Sequence, residues 1–148
     1  MQPLSTDELI SELGKLIGIP GLRADAQGCC HLVFDGSLAV VIRHVPAQSR
    51  WLLSCALEKQ TLDAEGLRLL LRGNWLGAGF GGGWVGLDEQ DRAVLHLPVP
   101  FADASASVLL QATEMLLDHA ERWDKRLKES PQAGQRAPAP MAMWAQRI

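Results

Sequence analysis

At 148 residues, with 47% hydrophobic and 21% charged side chains, the chain has the makeup of a single globular domain with a real core. Its net charge of −3, with basic residues scattered as Arg23, Arg43, Arg50, Arg68, Arg72 and Arg92, excludes a nucleic-acid binder, which needs basic surface to displace phosphate counterions. No stretch approaches the roughly 20 apolar residues that span a bilayer, and Met1-Gln2-Pro3-Leu4 lacks the charged and apolar regions of a signal peptide.

The first predicted element is a helix. Ser5 and Glu8 stand three apart as a capping box, and Leu9, Ile10, Leu13, Leu16 and Ile17 form one apolar stripe. Gly18 and Pro20 end it. Strands are then expected at residues 29–34 and 38–44, flanking Asp35-Gly36, a dipeptide that accepts the positive backbone angles of a tight hairpin. A third strand, about residues 50–57, follows the turn Pro46-Ala47-Gln48-Ser49.

Alternation places Cys30, Leu32 and Phe34 on one face, as it does Leu38, Val40 and Ile42, and Trp51, Leu53, Cys55 and Leu57. The opposite faces carry Val33, Val41, Leu52 and Ala56 and are apolar too. A sheet of this kind is expected to be covered twice, by helices, a partner or both.

A second helix is predicted over about residues 63–76, with Leu67, Leu70, Leu71 and Trp75 at helical spacing, ending in the glycine-rich segment 77–83. A short strand at residues 84–86, a polar turn and a strand at residues 93–99 follow. Asp103 is expected to cap a final helix reaching about Lys128, with Leu109, Ala112, Leu116, Ala120, Trp123 and Leu127 buried. The expected fold is α+β, in the order α-β-β-β-α-β-β-α, with a mostly antiparallel twisted sheet. The domain is placed at residues 1–129. Prolines at positions 131, 138 and 140 mark residues 130–148 as a flexible Pro/Ala-rich tail.

No constellation for catalysis emerges. Gly77-Ala78-Gly79-Phe80-Gly81-Gly82 matches a dinucleotide fingerprint formally, yet a helix precedes it and a strand follows, the reverse of what pyrophosphate binding requires. His31, His44, His96 and His119 have no metal-ligand spacing, so no metal or other cofactor is expected. Cys29, Cys30 and Cys55 read as reduced thiols of a cytosolic protein. Cys29 near His31 lacks the elbow or helix terminus that would activate a nucleophile. Five tryptophans occur with no tyrosine, and Trp75, Leu76, Phe80 and Trp84 concentrate around the glycine segment, which instead suggests an interface.

The element order and the stretches LVFDGSLAVVIR, NWLGAGFGGGWVGLDEQDRAVLHLPVP and LLDHAERWDKRL resemble the class I chaperones of type III secretion, the Tir-chaperone type, over about residues 5–128. The tail departs from that pattern. The resemblance implies a cytoplasmic, non-enzymatic homodimer, joined through Leu67, Leu71, Trp75, Phe80, Trp84 and Val85. It also implies that each subunit holds an N-terminal segment of a secreted effector in extended form. The candidate contacts are Leu9, Leu13 and Leu16 of the first helix and Leu32, Phe34, Val40 and Ile42 of the sheet. The alternative occupant is a transcriptional regulator of the secretion system, sequestered on the same surface.

Overall fold

The computed structural model describes residues 4–58 and 61–129, so the expected tail at 130–148 lies outside the described residues. Three α-helices, α1 (Thr6–Ile17), α2 (Ala64–Gly73) and α3 (Ala106–Glu129), alternate with five strands. These are β1 (Cys29–Phe34), β2 (Leu38–Val45), β3 (Arg50–Ala56), β4 (Trp84–Leu87) and β5 (Ala93–Pro100). The strand order across the sheet is β1-β2-β3-β5-β4, and every neighbouring pair is antiparallel. The architecture is the expected α+β one, in the expected order.

Local chemistry accounts for most of the boundaries. Ser5 accepts from the Glu8 amide while the Glu8 carboxylate accepts from the Ser5 amide, so the capping box closes in both directions. Gly18 ends α1 in the left-handed conformation, at φ 78°. Asp35 and Gly36 both take positive φ, 51° and 75°, which sets the twist of the β1–β2 hairpin. Asp63 caps α2 by accepting from the Gly66 amide at 2.7 Å.

Two expectations are corrected. The cap of α3 is Ser105, whose hydroxyl accepts from the Val108 amide at 3.1 Å; Asp103 lies in the short 3₁₀ turn Phe101–Asp103 instead. The second helix stops at Gly73 rather than Leu76, and in place of its last turn the chain kinks through the left-handed residues Leu76 and Gly77 within the tight-turn segment Trp75–Phe80. The reason is packing. A Cβ at Gly73 would strike the Trp123 ring and one at Gly79 would strike the Gly73 backbone, so the chain folds tightly against α3 at this point.

The helices gather on one face of the sheet. α3 packs on β3 and β5, and α1 packs on α3. Between them lies one continuous core in which Ile10, Ile42, Leu53, Leu95, Leu109 and Leu127 are sealed. The stripe expected for α3 is buried in full. The alternate strand positions point the other way and stay half-buried or exposed, including Val33, Val41, Leu52, Ser54 and His96. Among the described residues, the double covering expected of the sheet is therefore completed on one side only.

Candidate functional site

The surface is built from three patches that the core leaves over. The first is the outer side of α2 and the turn after it. α2 is amphipathic: Leu70 goes to the core, Leu67 is half-buried, and Leu71 remains 68% exposed. Trp75 is 68% exposed and Leu76 87% exposed, a large apolar area for one short segment. Leu76 also holds φ 58°, a left-handed conformation unfavourable for a branched residue. Asn74 fixes the segment against β4, donating to the Val85 carbonyl at 3.0 Å and accepting from the Val85 amide at 2.7 Å.

Phe80 and Val85, expected in the same interface, turn inward and are buried. Phe80 stacks on Trp123 with centroids 4.8 Å apart, and the Trp123 indole donates to the Gly79 carbonyl at 2.9 Å. The glycine-rich segment is thus a site of close packing between α2, β4 and α3. At Gly83 a Cβ would fall on the His96 carbonyl oxygen, so only glycine lets the chain pass β5 this closely.

The second patch is the uncovered sheet face. One row runs His31–Val41–Ser54–His96–Trp84 across all five strands, with the pairs Val33–Ala39 and Ala56–Val94–Gly86 beside it. Val33 at the β1 edge is 67% exposed. The Ser54 hydroxyl hydrogen-bonds the His96 Nδ1 at 2.7 Å, and the Trp84 ring tilts over His96 at 5.5 Å. Arg50 lays its guanidinium over Trp84, 5.2 Å from the ring centroid. Burial lowers the His96 pKa, and the charges of Arg43 and Arg50 add to that effect.

The third patch is a cleft of about 340 Å³ between α1 and the β2–β3 end of the sheet, lined by Leu4, Thr6, Leu9, His44, Trp51 and Phe101. The His44 ring lies 4.9 Å from Trp51 and 4.8 Å from Phe101, making an aromatic wall.

The effector contacts expected from the sequence divide. Leu16 is 54% exposed and Phe34 half-buried, while Leu9, buried itself, borders the cleft. Leu13, Leu32, Val40 and Ile42 are sealed in the chain's own core: Leu13 on the inner side of α1, and Leu32, Val40 and Ile42 on the sheet face that the helices cover. The accessible sheet positions are the alternate ones, Val33, Val41 and Leu52, together with Trp84. Alternation marks both sets as apolar; only the placement of the helices decides which is free.

The three patches offer apolar contact surfaces. Among the described residues no group of three or more His, Cys, Asp or Glu side chains is placed to hold a metal ion. Burial pushes the Cys55 thiol up to about 11, with the nearby Asp124 charge adding to it, and burial likewise raises Cys30. Among the described residues no helix is long and apolar enough to cross a membrane.

The fold is shared with solved structures. One chain of the ExsC-ExsE complex is 26% identical and superposes with a TM-score of 0.74, covering 86% of this chain and 94% of that one. A chain of the HopA1-SchA chaperone-effector complex is 23% identical with a TM-score of 0.70, over 79% of this chain and 91% of that one. A chain of the complex between the Yersinia pestis type III secretion chaperone SycH and a fragment of YscM2 is 18% identical with a TM-score of 0.66. The match covers 80% of this chain and 99% of that one. No curated protein sequence matches the chain. A family model matches residues 8–124, from the first turns of α1 nearly to the end of α3, and the chain belongs to the Tir chaperone protein (CesT) family.

Proposed function

We propose that this protein is a cytosolic type III secretion chaperone that works as a homodimer and holds the N-terminal segment of a secreted effector in extended form. The observation that carries the reading is the one-sided sheet. The core is complete on the helical face, yet among the described residues a second face with apolar positions and the β1 edge remain open. An extended polypeptide fits both, pairing its backbone with the edge and seating alternate side chains on apolar positions. The family and the complexes that share the fold support the same conclusion. The work needs neither catalysis nor cofactor, because binding alone keeps the segment from collapsing.

The dimer contact is drawn from the outer side of α2 and the adjoining turn, with Leu67, Leu71, Trp75 and Leu76 at its centre and Trp84 at its border. These residues adjoin one another on the surface, and aromatic anchors of this kind dominate subunit contacts. The effector is placed on the sheet face and the cleft, through Val33, Val41, Leu52, Leu9 and Leu16.

The test is co-expression of the tagged chain with the products of neighbouring genes, followed by mass spectrometry of what co-purifies. The expected result is a secreted protein whose capture is lost when its N-terminal segment is deleted. Capture that survives the deletion would overturn the reading. Recovery of a regulatory protein, displaced by the effector, would identify a second occupant of the same surface.

A further inference from the structure

The five strands contain no aspartate or glutamate, although acids outnumber Lys and Arg by 17 to 14 in the chain as a whole. On the uncovered sheet face the ionisable groups are His31, Arg43, Arg50 and His96, all cationic or neutral. Two of them are already engaged. His31 lies 3.5 Å from the Asp25 carboxylate, and Arg43 donates through Nε to the Cys29 sulfur at 3.4 Å. His96 shares its Nδ1 with Ser54.

Arg50 differs. Its backbone sits opposite Pro100, but its side chain reaches along the sheet to Trp84, which sits opposite His96. Among the described residues its Nε is shielded from solvent yet has no hydrogen-bond partner, and no carboxylate pairs with it. The guanidinium of Arg50 therefore lies on Trp84 with no acceptor among the described residues, and a charged donor group left without an acceptor favours one brought by a partner to its terminal nitrogens.

We infer that the uncovered sheet face selects, within an extended partner segment, a carboxylate side chain flanked by apolar residues, and that Arg50 on its Trp84 platform is the group that receives it. This rests on the chaperone reading above and names the chemistry of the segment that the face takes. The planar guanidinium matches a carboxylate in two parallel hydrogen bonds, with Trp84 holding it in place. Leu52, Val41 and Val33 supply the apolar seats on either side. With no acid on the strands to compete, the face repels basic segments and discriminates by charge where shape alone would accept any apolar peptide.

The test uses the full chain and three synthetic 12-residue peptides of alternating leucine and threonine that differ only in a central glutamate, glutamine or lysine. Binding is read by calorimetry at low and high salt, with dimer state followed by light scattering. The expected result is that the glutamate peptide binds roughly tenfold tighter than the glutamine peptide and the lysine peptide weakest. Salt should narrow the gap, and Arg50→Gln should abolish it while leaving the glutamine peptide unaffected. Arg50→Lys, which keeps the charge without the fork, should retain part of the preference.

Equal binding of the glutamate and glutamine peptides to the wild type overturns the charge selection and leaves the chaperone reading standing. That comparison needs no variant to fold. Failure of all three peptides to bind overturns the inference together with the assignment of this face to an extended segment. Dissociation of the dimer by Arg50→Gln, with no peptide competing, shows a second copy on this face and overturns the inference as well.

Discussion

The imidazole of His96 couples the uncovered face to pH. Burial disfavours its cation, and Arg43 and Arg50 repel it, so its pKa in the folded chain lies below the ordinary histidine value. Its contribution to stability is therefore complete above the unfolded value and is lost as the pH falls from there through the folded one. Replacing His96 with glutamine removes this dependence. Urea midpoints taken from about pH 8 to about pH 5 should show the wild type losing stability relative to His96→Gln on the acid side only, near and below the ordinary histidine pKa of about 6.5. His119, also lowered by burial, is common to both proteins and cancels in the difference. A difference that stays flat across the range would disprove the coupling.

At the scale of the element, the segment after α2 carries a conflict between local preference and exposure. Leu76 is 87% exposed and held at φ 58°, so neither burial nor backbone comfort within the subunit explains it. Strain that nothing among the described residues repays is what a contact residue of the proposed dimer would show. Leu76→Gly relieves the backbone and removes the side chain. The expected outcome is a monomer stability unchanged or raised by about 1 kcal/mol in chemical denaturation, with dimer dissociation strengthened at least tenfold in sedimentation. A variant that dimerises as the wild type does would remove Leu76 from the contact.

This conflict was not legible in the sequence, whereas much else was. Ser5 and Asp35-Gly36 announce their roles because caps and tight turns depend on a side chain and its immediate neighbours. The strand faces followed from alternation. What alternation could not show is which apolar face the chain covers itself: Val40 and Val41 look alike in sequence, and only the docking of α3 on β3 and β5 separates them. Phe80 escaped for the same reason, since its partner Trp123 lies far along the chain. The cleft beside His44 was missed because His44, Trp51 and Phe101 meet only through the β2–β3 pairing and the turn after β5.

For the whole molecule, the tryptophans divide the surface into zones that can be read separately. Trp51 and Trp123 are buried, Trp75 lies on the proposed dimer side, and Trp84 borders the uncovered sheet face. In variants that keep one of these tryptophans and replace the others, Trp144 included, by phenylalanine, iodide should quench Trp84 less once a client is bound. Trp75 should be shielded by dimerisation alone and respond to dilution rather than to client. Trp51 and Trp123 should report neither event. Client-dependent shielding of Trp75 with none at Trp84 would exchange the two assigned surfaces.

The one-sided sheet carries a consequence for how often the protein can act. A guest that supplied part of the core would leave a ruined host behind when it departed. Here Ile10, Leu53 and Leu109 are enclosed by residues of their own chain. The host is finished before any guest arrives and intact after it leaves, ready for another round.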